Sequence, residues 1–497
     1  MLSYFLEALP LVFSFNVILA MFTGTVVGIA VGALPGLSAT MGIAVLIPIT
    51  FSMQPLTALG MIAGIYNGAM YGGSIPAILF RIPGTPAAIA TVFDGYPMAQ
   101  KGRARLALDI SLASSAIGGA LSALALLLLA PPLAKIALKF GPADYFWLAI
   151  FGLTTVVVML GNNISKGFLS TCIGLVFGMV GIDNLTGVER FTFDNLNLLG
   201  GFNIVVFLTG LFAIPPALDL MLGHEHTSKQ IKLDSSHENF RMRRLIPVWI
   251  RSGLIGMSTG LIPGMGGNIG AIIAWNEQRR VSHNKDEYGK GVPEGVAAPE
   301  CANNADNGTS LVPALALGVP GNSVSAVILG ALLVHGMRPG PGLFRDNGAS
   351  VYGFMLAMLV TCAMLYVIGR VGARLYVQVL RVPRHLLGPM ILAMTVIGVY
   401  AIDNSLFDVC AMLGFGLLGY GMEKFNIPTA PAVLAIILGP MAESSFRRGL
   451  LIGGGDWNYY VNGPISIVLV ALVVLVLSLP IIRHVQARKN KGPGKKI

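Results

Sequence analysis

Charge is what this sequence has least of. Only 11% of its 497 residues are Asp, Glu, Lys or Arg, against roughly 25% in an ordinary soluble protein, and this excludes a water-soluble globular class. Cysteine is equally scarce: Cys172, Cys301, Cys362 and Cys410 are widely separated and fit no metal-ligand spacing, which excludes a disulfide scaffold and a zinc module. The seven histidines are scattered and form no Ser/His/Asp or Cys/His set, and His224-Glu-His226 has no further ligands placed to complete a metal site. No phosphate-binding loop is present. The run from Gly264 to Gly270 follows no strand and departs from dinucleotide-loop spacing, so no organic cofactor and no enzymatic activity are expected. The first basic residue is Arg81, so residues 1–80 lack the charged start of a cleavable signal peptide and are expected to remain in the mature protein.

What the sequence does have is apolar length. Hydrophobic residues make up 54% of the chain and the mean hydropathy is +0.74. Apolar segments fall at 11–33, 37–51, 56–80, 106–130, 144–160, 167–182 and 203–222, and again at 246–262, 265–275, 309–335, 350–380, 386–402, 406–421, 429–440 and 462–482. Stretches such as 121–129 and 465–479 are apolar on every face, which excludes the alternation of a β-barrel. The chain therefore reads as an all-α polytopic membrane protein embedded in a lipid bilayer. Its 62 glycines and 29 prolines must fall inside or beside the apolar segments, which points to discontinuous helices and re-entrant segments. The net charge of +10 sits in loops and in the tail from Arg483 to Lys496. That distribution is positive-inside topology, with no nucleic-acid partner, and implies an external (periplasmic) N-terminus and a cytoplasmic C-terminus.

Sliding one half of the chain over the other exposes an internal repeat. The run Gly28 to Gly36, containing Gly32 and Pro35 and followed by Gly42, matches Gly256 to Gly264, containing Gly260 and Pro263 and followed by Gly270. Further on, Pro76 to Pro83-Gly84 matches Pro313 to Pro320-Gly321, the slightly larger offset arising from a charged insertion between Glu277 and Lys290. The expected organisation is a first transmembrane repeat over 1–222, a polar and cytoplasmic linker over 223–245, a second repeat over 246–461, and a last helix with a basic tail over 462–497. An external start with an internal linker makes the repeats inverted. Paired broken segments in two halves are the sequence mark of a secondary transporter's binding site.

The chemistry expected at these breaks follows from backbone polarity. Proline removes a helix hydrogen bond and glycine permits a sharp bend, so a helix starts within the membrane and presents unpaired N–H groups to an anion. Pro35, Gly36, Ser38 and Thr40 form one such start, and Pro263, Gly264, Gly267 and Asn268 the other. Asn67, Ser74 and Thr85 in the first half, with Asn304, Asn322 and Ser323 in the second, add amides and hydroxyls for a carboxylate substrate. Oxygen donors around Gly73, Pro83, Gly84, Thr309, Pro320 and Gly321 suit a hard cation such as Na⁺. Glu300 and Asp306 read either as cation- or proton-coupling carboxylates or as caps at the membrane interface. Arg81 reads either as an anion counter-charge or as a snorkelling side chain at a helix end. A passive anion channel built from the same broken helices, and an intramembrane acid/base enzyme using Glu300 and Asp306, are the competing functional classes.

The motifs Gly32-Ala-Leu-Pro-Gly36, Tyr71-Gly-Gly-Ser-Ile-Pro76, Ile82-Pro-Gly-Thr-Pro86, Asp94-Gly-Tyr-Pro97, Leu261-Ile-Pro-Gly264, Ala298-Pro-Glu-Cys-Ala-Asn-Asn304 and Gly318-Val-Pro-Gly321 resemble those of the large membrane subunit of tripartite tricarboxylate transporters. The resemblance runs from about residue 10 to 480. It implies a bacterial inner-membrane symporter that takes up citrate or other di- and tricarboxylates on an ion gradient, Na⁺ or H⁺. The partners it implies are a small four-helix membrane subunit and a periplasmic substrate-binding protein. The polar pair Asp306-Asn307 departs from the family pattern, which implies a site tuned to a different substrate or ion.

Overall fold

The computed structural model describes residues 2–34, 37–159, 164–183, 185–222, 240–379 and 384–490. Pro35, Gly36, most of the linker (223–239, with His224 and His226) and the last seven residues lie outside the described residues. In chain order the helices are α1 (Leu2–Val12), α2 (Phe15–Ala33), α3 (Ala39–Thr50), α4 (Pro55–Gly72), α5 (Ser74–Phe80), α6 (Ile89–Gln100), α7 (Ala104–Ala137), α8 (Pro142–Met159), α9 (Ile164–Gly178), α10 (Ile204–Leu222), α11 (Ile246–Leu261), α12 (Gly266–Val281), α13 (Pro293–Thr309), α14 (Leu311–Leu317), α15 (Ser323–Val334), α16 (Leu343–Asp346), α17 (Gly348–Val379), α18 (Arg384–Asp403), α19 (Leu406–Lys424), α20 (Ala430–Ile452) and α21 (Pro464–Asn490). A two-residue-per-strand antiparallel pair, β1 (Gly181–Ile182) with β2 (Glu189–Arg190), follows α9.

The chain is an all-α polytopic membrane protein. Among the described residues six helices are long and apolar enough to cross a bilayer: Phe15–Ala33, Ala104–Ala137, Ile204–Leu222, Gly348–Gly372, Leu386–Asp403 and Leu406–Lys424. Two apolar stretches that read as continuous in the sequence are broken. Residues 56–80 divide into α4 and α5 at Gly73, and residues 309–335 divide into α14 and α15 at Gly318 to Asn322. The charged stretch between Glu277 and Lys290 is only partly a loop, because α12 continues to Val281.

The helices form two compact units, Met1–Ala137 with Val205–Gly421, and Leu138–Ile204 with Met422–Ile497. Each takes residues from both sides of the 223–245 linker. In the larger unit α2 and α4 pack backbone to backbone. A Cβ at Gly28 would lie 2.8 Å from Ile65 Cα, and one at Gly68 would lie 2.6 Å from Thr25 O. Small residues every fourth position on both helices allow this approach, which in lipid replaces the missing hydrophobic drive with dense van der Waals contact. Gly256 on α11 faces Ala302 on α13 in the same manner, and Gly308 on α13 faces the Ser122 backbone on α7. In the smaller unit Asp183 is paired with Arg190 and with Arg447 (2.5 Å), and Arg190 also reaches Glu443 (2.8 Å). Asp144 accepts from Ser466 Oγ at 2.5 Å, joining α8 to α21.

Candidate functional site

Two short hairpins in the larger unit repeat one geometry. Each begins with a seven-residue helix, α5 or α14, that ends in a left-handed cap, Arg81 (φ 61°) in the first and Gly318 (φ 76°) in the second. The chain then returns so that Gly84 N–H donates to Gly73 O at 3.1 Å, and Gly321 N–H donates to Ser310 O at 3.2 Å. Ile82 N–H to Pro76 O and Val319 N–H to Pro313 O are likewise both 3.3 Å. Each Pro-Gly turn rests against a glycine of the preceding long helix. A Cβ at Gly321 would lie 2.7 Å from Gly260 O, and one at Gly84, packed on Gly32, would lie 2.7 Å from Gly73 Cα. No larger residue fits at either turn.

The helix starts at the other breaks converge beside these hairpins. Ser38 caps α3, its Oγ accepting from Met41 N–H at 3.2 Å, which leaves the hydroxyl hydrogen available to donate. Gly264 (φ 82°) and Gly266 (φ 59°) supply the left-handed backbone that turns the chain into α12, and Gly264 N–H ties this bend to Gly321 O at 2.8 Å. A cavity of about 190 Å³ lies between them, with Ser38 and Thr40 on one side, Gly267 and Asn268 on another, and Thr85, Asn322, Ser323 and Asp306 completing its polar wall. Met70 and Phe212 supply apolar surface. Its size suits a small molecule rather than a drug-sized one.

Several polar groups around this cavity have no partner. Thr85 Oγ1 and Asp306 Oδ1 are buried without a hydrogen bond, as are both polar atoms of the Asn303 side chain, one turn before Asp306. Asp306 Oδ2 accepts from Asn322 Nδ2 at 2.6 Å, and the same amide donates to Tyr66 Oη at 3.1 Å. Asn322 Oδ1 meanwhile accepts from Ser325 N–H at 2.8 Å in a reciprocal capping box at the start of α15. Asn322 is therefore fully used in holding Asp306 and Tyr66. Asp306 is 0% exposed and makes no ion pair among the described residues. A buried carboxylate without a basic neighbour is costly and calls for a bound cation or a proton. Among the described residues no three His, Cys, Asp or Glu side chains gather in one place. The unpartnered polar atoms in this region are Asp306 Oδ1, Thr85 Oγ1 and the Asn303 amide.

Other residues singled out from the sequence are not brought to the cavity wall. Asn67 is engaged elsewhere: its Nδ2 donates to Met358 O (3.0 Å) and Thr361 Oγ1 (2.9 Å) on α17, and its Oδ1 accepts from Asn307 (3.0 Å). Ser74 donates to Tyr71 O at 2.7 Å and accepts from Ser111 Oγ at 2.6 Å. Asn304 Nδ2 donates back to Glu300 O at 3.0 Å. Thr309 Oγ1 is spent on Ala305 O at 3.0 Å, and the Gly73 carbonyl accepts from Gly84. Pro83, Pro263 and Pro320 shape the turns without lining the cavity. Glu300 is fully buried in the middle of α13, not at a helix start, and accepts from Thr91 Oγ1 and from Ser115 Oγ (3.0 Å). Tyr66, which accepts from Asn322 Nδ2, is a residue of this region that motif reading missed. The repeat offset that pairs Pro76 with Pro313 also pairs Tyr66 with Asn303, the signal by which it could have been found.

The same offset pairs Ala69 with Asp306 and Ala63 with Glu300, so these two carboxylates have no acidic counterpart in the first half. The arrangement defines a polytopic α-helical membrane protein with paired discontinuous helices beside a small cavity that polar and apolar groups share.

Comparison with known proteins gives the family. The family model of the tripartite tricarboxylate transporter TctA family matches residues 18–434, and the chain belongs to that family. It is the large membrane subunit of a transporter of that kind, which works with partner subunits and a binding protein. The chain is 36% identical over 474 residues to the uncharacterized 52.8 kDa protein in the TAR-I ttuC' 3'region of Agrobacterium vitis, covering 95% of this chain and 94% of that one. It is 33% identical over 236 residues to the uncharacterized protein in the TAR-II ttuC' 3'region of the same organism, covering 48% of this chain and 98% of that one. No solved structure matches the chain.

Proposed function

We propose that this subunit is a cation-coupled importer of small di- or tricarboxylates in the bacterial inner membrane. It receives its cargo from a periplasmic binding protein and works beside a small four-helix membrane subunit. The observation that carries the reading is the cavity itself: two helix starts, at Ser38 and at Gly267-Asn268, and the buried carboxylate Asp306 line the same small volume. Helix N-termini supply partial positive charge and free N–H groups to carboxylates. Asp306 supplies the negative charge for Na⁺ or H⁺, and the cation in turn lowers the cost of bringing an anion beside a carboxylate. Binding of either then favours the other, which is the thermodynamic content of coupling.

Arg103 and Arg105 follow α6, and Arg279, Arg280, Lys285 and Lys290 close or follow α12. In this reading these ends face the cytoplasm, the N-terminus faces the periplasm, and the two repeats are inverted. The hairpins α5–α6 and α14–α15, each hinged at its Pro-Gly turn, are the elements that alternate access.

The test is uptake of labelled citrate and a panel of dicarboxylates into proteoliposomes holding both membrane subunits, with and without binding protein and with a Na⁺ or a pH gradient. Concentrative uptake that needs the binding protein and one gradient is expected, and Ser38→Ala and Asn268→Ala should each reduce it about tenfold by removing one donor or its support. Equilibration indifferent to every gradient would replace the importer with a channel.

A further inference from the structure

A second cavity lies further along the same two helices. Its volume is about 580 Å³, and Arg81, Phe93, Tyr96, Gln100 and Trp275 line it. At a rise of ~1.5 Å per residue, Trp275 is roughly 10 Å along α12 from Asn268 in the first cavity. Helix α6 likewise runs from the 3₁₀ turn at Pro86–Ala88 beside the first cavity to Tyr96 and Gln100 in the second. The two helices thus connect a cavity at their N-terminal ends with one near the ends where the basic residues cluster.

Three features give the second cavity an anion-binding character. Arg81 holds a left-handed backbone (φ 61°), while the equivalent cap of the other hairpin is Gly318. A non-glycine residue there costs of order 1 kcal/mol or more, and the hairpin fold does not demand an arginine. The guanidinium lies 6.0 Å from the Tyr96 ring centroid and makes no ion pair among the described residues, which leaves its charge to the cavity. Asp94, which sits behind the Trp275 of this wall, is saturated. Its Oδ1 accepts from the N–H groups of Gly289 (2.9 Å), Gly291 (2.9 Å) and Val292 (3.0 Å), and its Oδ2 accepts from Trp275 Nε1 (2.8 Å). Arg279, outside the lining, holds a second positive charge 5.8 Å from the Trp275 ring centroid. The wall therefore carries one cation, Arg81, among Phe93, Tyr96 and Trp275, and the Asp94 carboxylate behind it is fully engaged by donors.

We propose that this cavity is a second oxyanion site, on the cytoplasmic side, which binds the carboxylates of the cargo after it leaves the first site. The assignment of side and cargo rests on the import reading above. A lipid phosphate shares the chemistry of a soluble carboxylate, so the test separates the two sources. Citrate is titrated against tryptophan fluorescence of the full membrane complex in nanodiscs of phosphatidylcholine alone and of phosphatidylcholine with phosphatidylglycerol. The signal absent from Trp275→Phe is taken as that of the cavity.

Citrate is expected to change this signal with equal midpoints in both lipids. Arg81→Gln should raise the midpoint at least tenfold, since a charge-assisted pair is lost. Arg81→Gly, which restores the glycine of the other hairpin and relieves the backbone, should do the same while keeping the complex folded. Asn268→Ala, in the first cavity, should leave the midpoint unmoved. An unchanged midpoint in Arg81→Gly overturns the second site, and gradient-driven uptake by the wild type would then leave the import reading standing. A citrate response abolished by phosphatidylglycerol also overturns it, in favour of a lipid headgroup. Should the midpoint shift as expected while no gradient drives uptake, the oxyanion site stands and the import reading falls.

Discussion

Substituting Asp306 by Asn tests whether its carboxylate is the coupling group. The change keeps the shape of the side chain, and the amide oxygen still accepts from Asn322 Nδ2, now 2.6 Å from Asp306 Oδ2. What disappears is one full negative charge at a fully buried position with one oxygen unpartnered. For unit charges about 4 Å apart at an effective dielectric of ~20, that is about 4 kcal/mol of attraction for a cation, or nearly a thousandfold in affinity. The assay is initial uptake by proteoliposomes as a function of Na⁺ at constant ionic strength, repeated across pH, with membrane insertion checked in parallel. With Na⁺ as the coupling ion, the half-saturating concentration should rise by at least a hundredfold. With H⁺, Asp306→Asn imitates the permanently protonated state, and uptake should lose its dependence on a pH gradient. An unaltered response to both ions would refute the assignment.

Glu300→Gln should leave the cation dependence of uptake within about threefold of wild type, because Glu300 is held by Thr91 and Ser115 and does not line the cavity; loss of cation dependence would move the coupling role from Asp306 to Glu300. Asp94→Asn keeps an acceptor for the three amides of the 289–292 segment but sets an amide donor against Trp275 Nε1. With about 1.5–3 kcal/mol lost, hydrogen exchange of those amides should quicken roughly ten- to a hundredfold, and unchanged exchange would show that Asp94 does not hold the segment. Gly68→Leu should prevent accumulation of folded protein, since its Cβ alone would lie 2.6 Å from Thr25 O and 2.9 Å from Ile29 N; a folded variant of normal abundance would contradict the α2–α4 packing.

The sequence by itself determined the class of protein and where its chain breaks. Scarce charge and long apolar runs permit only a membrane environment, and closed backbone hydrogen bonding in lipid then requires helices. Pro35-Gly36, Pro83-Gly84, Pro263-Gly264 and Pro320-Gly321 marked the interruptions, since proline and glycine disrupt a helix through purely local geometry. The paired motifs also marked which interruptions correspond. What local geometry cannot specify is which breaks meet, because that depends on helices packed from far apart in the chain. Only the tertiary structure brought Ser38, Thr85, Asn268 and Asp306 to one cavity while turning Asn67 toward α17 and Ser74 toward Ser111. It likewise separated Glu300 from Asp306: on one helix the two differ in what surrounds them, hydroxyls for the first and the Asn322 amide at the cavity wall for the second. Arg81 had two readings in the sequence, and the cavity beside Tyr96 and Trp275 was decided by two helices lying side by side, a fact that no single segment contains.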